Sequence, residues 1–442
     1  MKALLKRGIS EHRRSLDLRE YSSQELTRAY LDEIYAQDKT LNAFLYVDEV
    51  GAMAQSKESD CRMLRGEGRG VLEGIPYSLQ DHISAKGLPM SCASRMLEGY
   101  VSPYDATITE RLRSAGAVLL GKNNMEEMAV MEASTLSAHG AANAAAVAAG
   151  LTSFSLGTGR FCSFTDACNI ATFVPSSGVL SRHGVALLAS SADRIGILSH
   201  SSADCRTVLE ILEGKDERDA TSVSLPHLEE CCGKKMPRVL IPHWVGEEGT
   251  SAAAHAAQEE VLRCFTRAGA QCFSESVALP SELVAAYTVL FAAEAASGLS
   301  RYDGVRFGKR GGEESLASLY SESRAMLGDE VLARLLFGID MLSGENRERY
   351  YLRALSVREE VRALMRSLTD RYDLILLPGA LEETSREDAL CTALTSLCGA
   401  PVVSLPMETD EKGTVASVRL CAGEGRDVAL LCHAQCLAAE DV

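Results

Sequence analysis

Residues 70–97 read GVLEGIPYSLQDHISAKGLPMSCASRML, and residues 104–129 continue YDATITERLRSAGAVLLGKNNMEEMA. Gly66, Gly68 and Gly70 mark a flexible turn before the first stretch. Alternating glycines cradle phosphate only where a helix N-terminus follows directly. Here an apolar segment containing Pro76 follows, so they read as a loop. In the second stretch Asp105 stands where a helix cap belongs, and Ile108, Leu112 and Ala115 recur at helical spacing up to Gly116. Ala117–Leu120 then reads as a short buried strand before Gly121.

The same alternation continues outward. Ser22 with Glu25 makes a capping box, and Leu26, Tyr30 and Ile34 form the apolar stripe of the helix it opens. Ala141–Ala149 is nearly all alanine and reads as a tightly packed helix. Arg238–Ile241, Gln271–Val277 and Asp373–Leu377 have strand character, while Ser251 to about Ala268 and Glu348–Leu368 are periodic helices. Strands alternating with helices predict an α/β protein with a largely covered sheet. The polar stretches 214–221 and 229–235 flank a boundary between an N-terminal core and the remainder.

Composition narrows the function. The chain of 442 residues carries 45 Lys and Arg against 61 Asp and Glu, a net charge of −16. Such an excess repels phosphate backbones and argues against autonomous nucleic-acid binding. No apolar run is long enough to span a bilayer, and MKALLKRGISEHRRSL lacks the apolar core of a signal peptide. The 14 cysteines are scattered without a CxxC pair, which suits a reducing, cytoplasmic setting. Cys432, His433 and Cys436 come nearest to a metal-ligand cluster, but on an apolar stretch they read as buried thiols.

With these stretches in view, residues 70–97 and 104–129 resemble the first block of the amidase signature family, and within it the A subunits of glutamyl-tRNA(Gln) amidotransferases. AAAVAAG (144–150), SRHGVALLASSADRIGIL (181–198) and EGKDERDATS (213–222) continue the likeness in order. LSRYDGVRFGKR (299–310), GDEVLARLLFGIDMLSG (328–344), RYYLRALSVRE (349–359), YDLILLP (372–378) and GAPVVSLPM (399–407) extend it over nearly the whole chain. The resemblance implies an amidase-signature fold, a mixed central sheet covered by helices. It implies a single large domain over residues 1–442, with a helical segment 1–65, a signature core 66–222 and the remainder 223–442.

It also implies a chemistry that can be checked residue by residue. The family cleaves amides with a Ser–Ser–Lys set: a buried lysine draws a proton through a bridging serine from the nucleophilic serine, and backbone N–H groups hold the oxyanion. The lysine belongs directly before an aspartate in Gly74-Ile75-Pro76-Tyr77-Ser78-Leu79-Gln80-Asp81, and this chain has Gln80 there. A carboxamide has no titratable nitrogen and is no base. Lys86 and Lys122, nearby in sequence, read as solvated lysines. The tandem-serine loop is replaced by Ser137-Ala138-His139-Gly140-Ala141-Ala142-Asn143, whose alanines add β-carbons where glycines let backbone approach substrate. His139 has no carboxylate partner in sequence and reads as packed or solvated. The nucleophile position falls on Ser163 in an ungapped reading and on Arg160 if a gap enters the loop, with Phe161 and Cys162 in place of two glycines.

The resemblance therefore points to an A-subunit-like component of a tRNA-dependent amidotransferase, converting Glu-tRNA(Gln) to Gln-tRNA(Gln), without a glutaminase of its own. On that reading B- and C-subunit-like proteins are its partners, tRNA is met only indirectly, and the chain binds no cofactor. ATP and Mg belong to the B-like partner, which in the family receives ammonia through a tunnel. Two alternatives stand beside it: an active amidase or glutaminase using Ser163 or Cys162 with another base, and a pseudoenzyme that binds a small amide, unrelated to tRNA.

Overall fold

A strand buried on both faces has no polar side to show, and LILLP at Leu374–Pro378 has that character. In the computed structural model, which describes residues 2–130, 142–158, 168–225, 236–244, 252–312, 315–379, 386–407 and 416–439, this segment lies within an 11-stranded sheet. Its strands are β1 (Phe44–Val47), β2 (Pro76–Gln80), β3 (Val118–Asn123), β4 (Phe154–Thr158), β5 (Ala171–Val174), β6 (Ile195–Ser199), β7 (Arg238–Trp244), β8 (Gln271–Val277), β9 (Leu374–Pro378), β10 (Val402–Met407) and β11 (Ala416–Cys421). They lie in the order β1-β3-β2-β4-β6-β5-β10-β11-β9-β7-β8. β3, β2 and β4 run parallel at one side and β9, β7 and β8 at the other, and antiparallel pairs join them through the middle. This is the expected mixed sheet covered by helices.

The period of two along each strand sorts the core into two layers. Leu374, Leu376, Val403, Leu405, Val418 and Leu420 point into one; Ile375, Leu377, Val402 and Cys421 point into the other. The first layer is closed by α1 (Ile9–Asp17), α2 (Ser23–Leu41), α3 (Glu49–Leu64), α4 (Thr107–Ser114), α5 (Ala142–Ala148), α6 (Ser202–Leu212), α7 (Ala252–Arg267) and a C-terminal helix, Asp427–Ala439. The second is closed by α8 (Leu283–Leu299), by α10 (Asp329–Leu342), which follows α9 (Leu316–Arg324), and by α11 (Leu352–Arg371) and α12 (Arg386–Cys398). β8, QCFSESV, is mostly exposed and polar, as suits a sheet edge.

Local sequence rules account for several boundaries and miss others. Ser22 caps α2 as expected: its hydroxyl accepts from the Glu25 N–H, and Glu25 reaches back to the Ser22 N–H at 2.7 Å. Asp105 does not cap α4, whose first flanking residue is Ala106. Its carboxylate instead accepts from the Lys86 N–H at 2.7 Å and pairs with Arg113 at 2.9 Å. The strand expected at Ala117–Leu120 runs on through Gly121 to Asn123, because Gly121 lies against the Tyr46 carbonyl, where a β-carbon would stand 2.2 Å away. The helix expected from Glu348 begins as a π-turn over Arg347–Tyr351 before α11. Cys432 is half-buried and Cys436 exposed, so the expectation of buried thiols there is corrected.

The N-terminal segment is fastened by neutral imidazoles. His12 is buried, with Nδ1 2.9 Å from the Tyr21 hydroxyl and Nε2 3.1 Å from that of Tyr30. Burial holds His12 down to about 4, aided by the Arg7 charge and by His200. Burial holds His200 down to about 4 as well, aided by Lys6. Both folded values lie below the unfolded value of about 6.5, so the unfolded chain binds more protons between those limits. Stability should be complete above about pH 6.5 and fall, by a few kcal/mol in total, as the pH drops toward 4. Urea midpoints measured across that range check this, and His12→Gln should flatten the dependence.

Candidate functional site

The parallel strands β3, β2 and β4 end side by side, and their last residues are Asn123, Gln80 and Thr158. Pockets in open α/β sheets form beyond the carboxyl ends of parallel strands where the connectivity changes, and β4 is also the strand that turns to an antiparallel neighbour. Every residue of β2, β3 and β4 is buried, so each polar side chain at their ends must find a partner inside the protein.

Gln80 finds one at once. Its side-chain oxygen accepts from the Thr158 N–H at 2.9 Å, clamping the end of β4 to the end of β2. The Thr158 hydroxyl lies 2.8 Å from His82 Nε2. The other ring nitrogen of His82, Nδ1, is buried and has no partner among the described residues. Burial, with the Lys122 charge second, drives His82 down to about 3, so its imidazole is neutral. The Asn123 oxygen accepts from the Ser155 hydroxyl at 2.9 Å, and its amide donates to the Ala43 carbonyl at 3.1 Å.

Lys122 is the largest departure from the sequence reading. It is wholly buried rather than solvated, because β3 continues past Gly121 and carries it into the protein. Its ammonium donates to the Asp81 carbonyl at 3.1 Å and to the Ile83 carbonyl, and lies 3.8 Å from an Asp81 carboxylate oxygen. Burial lowers its affinity for the proton, and Asp81 opposes that fall. Lys86, by contrast, is exposed as expected. The second Asp81 oxygen accepts from both the N–H and the hydroxyl of Ser91, at 2.8 and 2.6 Å.

That contact starts a strap of unusual backbone. Cys92 and Ala93 have φ of 51° and 52°, and Met128 and Ala129 have 53° and 60°. Residues with a β-carbon avoid this left-handed region. The two pairs are joined by the Met128 N–H donating to the Cys92 carbonyl at 2.9 Å. The Cys92 thiol is pushed up by burial, then by the Asp81 charge, and stays protonated.

Ser163, Cys162, Arg160 and His139 lie outside the described residues, so the structure places only Gln80 among the sequence candidates. Around it the structure brings together Asp81, Lys122, which the sequence suggested was solvated, and His82 and Thr158, which it did not single out. The signal for Lys122 was present: the apolar run AVLL leads into GKNN without a turn residue that could end a strand other than Gly121. Chemically the cluster is a set of ties. The cluster offers a neutral imidazole, His82, and an ammonium, Lys122, committed to carbonyls and to Asp81. Among the described residues no three His, Cys, Asp or Glu side chains come together to hold a metal ion.

Comparison with known proteins places the chain. The pattern that defines the family called Amidase matches residues 25–431. The glutamyl-tRNA(Gln) amidotransferase A subunit of Anaeromyxobacter dehalogenans is 38% identical, over 82% of this chain and 78% of its own. That of Clostridium botulinum is 32% identical over 88% of each. The solved structure of the same subunit from Thermotoga maritima superposes with a TM-score of 0.74 at 25% identity, over 98% of this chain and 94% of the other.

Two substitutions test the ties. Gln80→Met keeps the volume but leaves the Thr158 N–H without its acceptor, and should cost about 1–3 kcal/mol in urea unfolding. Lys122→Met strips a buried cation from two carbonyls and Asp81, and should cost about 3–5 kcal/mol in the same measurement. A midpoint unmoved by either change would show that the contact does not hold the site together.

Proposed function

The chain belongs to the amidase family, and from that premise we propose that it is an A-subunit-like component of a tRNA-dependent glutamyl-tRNA(Gln) amidotransferase, without glutaminase activity of its own. The relatives that carry that subunit's name align over most of this chain at 32–38% identity, which supports a scaffold role. One observation carries the loss of chemistry. At the position where the family resemblance puts the lysine base, the Gln80 carboxamide has its oxygen bound to the Thr158 N–H, and an amide takes no proton from a serine at neutral pH. Lys122, the nearest amine in this cluster, has its hydrogens directed to carbonyls. Removing one member of a cooperating catalytic set already removes most of the rate.

In this reading the chain steadies a B-like partner, which holds ATP and Mg and activates the glutamate on the misacylated tRNA, together with a C-like protein. The net charge of −16 fits a subunit that leaves tRNA to its partner. Among the described residues no helix is long and apolar enough to cross a membrane.

Co-expression with B- and C-type subunits is the test. The three chains should purify together; the complex should amidate Glu-tRNA(Gln) from ammonium salts and release no ammonia from glutamine. Ammonia released from glutamine by the purified chain, above a heat-killed control and abolished by Ser163→Ala or Cys162→Ala, would replace this reading with the active amidase. Failure of the chain to bind either partner would overturn the subunit role itself.

A further inference from the structure

A cavity of about 530 Å³ forms where residues 84–104 meet 184–186 and 301–309. Its chemistry is lopsided. Tyr100, Tyr104 and Tyr302 line it, and among the described residues none of their hydroxyls has a hydrogen-bond partner, although Tyr302 is only 9% exposed. Arg306 also lines it, and its guanidinium makes no ion pair among the described residues. Glu98, the acid in the lining, is already held by Lys309 at 2.7 Å. Met96 and Phe307 supply apolar surface to the lining, and three of its aromatic residues, Phe307, Tyr100 and Tyr104, are exposed.

Each feature narrows the ligand. Three tyrosines and Arg306 in one lining, with Arg301 beside them donating its Nε–H to the Gly298 carbonyl, favour an acceptor-rich anion. Burial raises the Tyr302 phenol, with the nearby Cys92, Tyr100 and Tyr104 adding to it, so the hydroxyl keeps the proton it would donate. With Glu98 taken, the lining has no free acid for an ammonium group, which disfavours a free amino acid such as glutamine. The volume falls in the range of small-molecule pockets and far exceeds what a bare inorganic anion fills. A cluster of exposed aromatic rings around a cavity marks a binding surface more often than an accident of packing.

We propose that this cavity binds a small monocarboxylate with an aromatic or branched apolar body, its carboxylate on Arg306 and the tyrosine hydroxyls and its body against Met96 and Phe307. This goes beyond the amidotransferase reading and does not rest on it.

Calorimetric titration of the full chain with 3-phenylpropanoate, 3-phenylpropanamide, glutamine and inorganic phosphate tests the assignment. The carboxylate should bind, with the neutral amide at least roughly ten-fold weaker. Arg306→Gln and Tyr302→Phe should each weaken the carboxylate roughly ten-fold and leave the amide unchanged. Neither group is bonded to the described protein, so both variants should keep the parent's melting temperature. Equal affinity for acid and amide would overturn the proposal, as would carboxylate binding indifferent to both variants. So would silence from the carboxylate up to about 10 mM, where even a millimolar ligand saturates. Glutamine or phosphate binding as tightly as the carboxylate would overturn the assigned ligand class.

Discussion

An ammonium sealed from water must be met by oxygen atoms placed to receive it, and Lys122 imposes that demand at the end of three parallel strands. Two carbonyls, from Asp81 and Ile83, and the Asp81 carboxylate answer it. To do so the chain must turn sharply after β2, which brings His82 up to Thr158 and turns the other Asp81 oxygen toward Ser91. Asp81 thus links the Lys122 site to Ser91, where the left-handed strap begins. Breaking a buried ion pair costs more than the pair contributes, because the orphaned charge stays behind.

The sheet sets the frame for this arrangement. Strands with two apolar faces separate two core layers, and helices close each layer from outside. Some polar residues lie mid-strand inside that frame, such as Arg419 on β11, which pairs with Asp388 of α12. The carboxyl ends of β2, β3 and β4 gather the ties made by Gln80, Lys122, Asn123 and Thr158.

Much of this was legible in the amino-acid order. The capping box at Ser22, the alanine-rich α5 and the continuous apolar run of β9 are local signals, and the local rules read them correctly. The Gln80 carboxamide at the end of β2 is tied to the Thr158 N–H, 78 residues on. What escaped depends on contacts distant in sequence. Asp105 stands where a cap belongs but is drawn to Lys86 and Arg113. Lys122 follows a glycine that ordinarily ends a strand, and only the close approach of the Tyr46 carbonyl explains why Gly121 continues one. Thr158 and His82 gained meaning from each other, across 76 residues.

The left-handed pairs at Cys92–Ala93 and Met128–Ala129 bear on how such a protein can vary over time. Each pair is costly alone, and one hydrogen bond between backbones couples them. Because that bond is made by main chain, side-chain replacement cannot remove it directly, and neither loop can relax without uncoupling the other. Loops usually drift faster than the elements they connect. These two are bound to drift together or not at all, so side chains around them can be exchanged while the backbone keeps its shape.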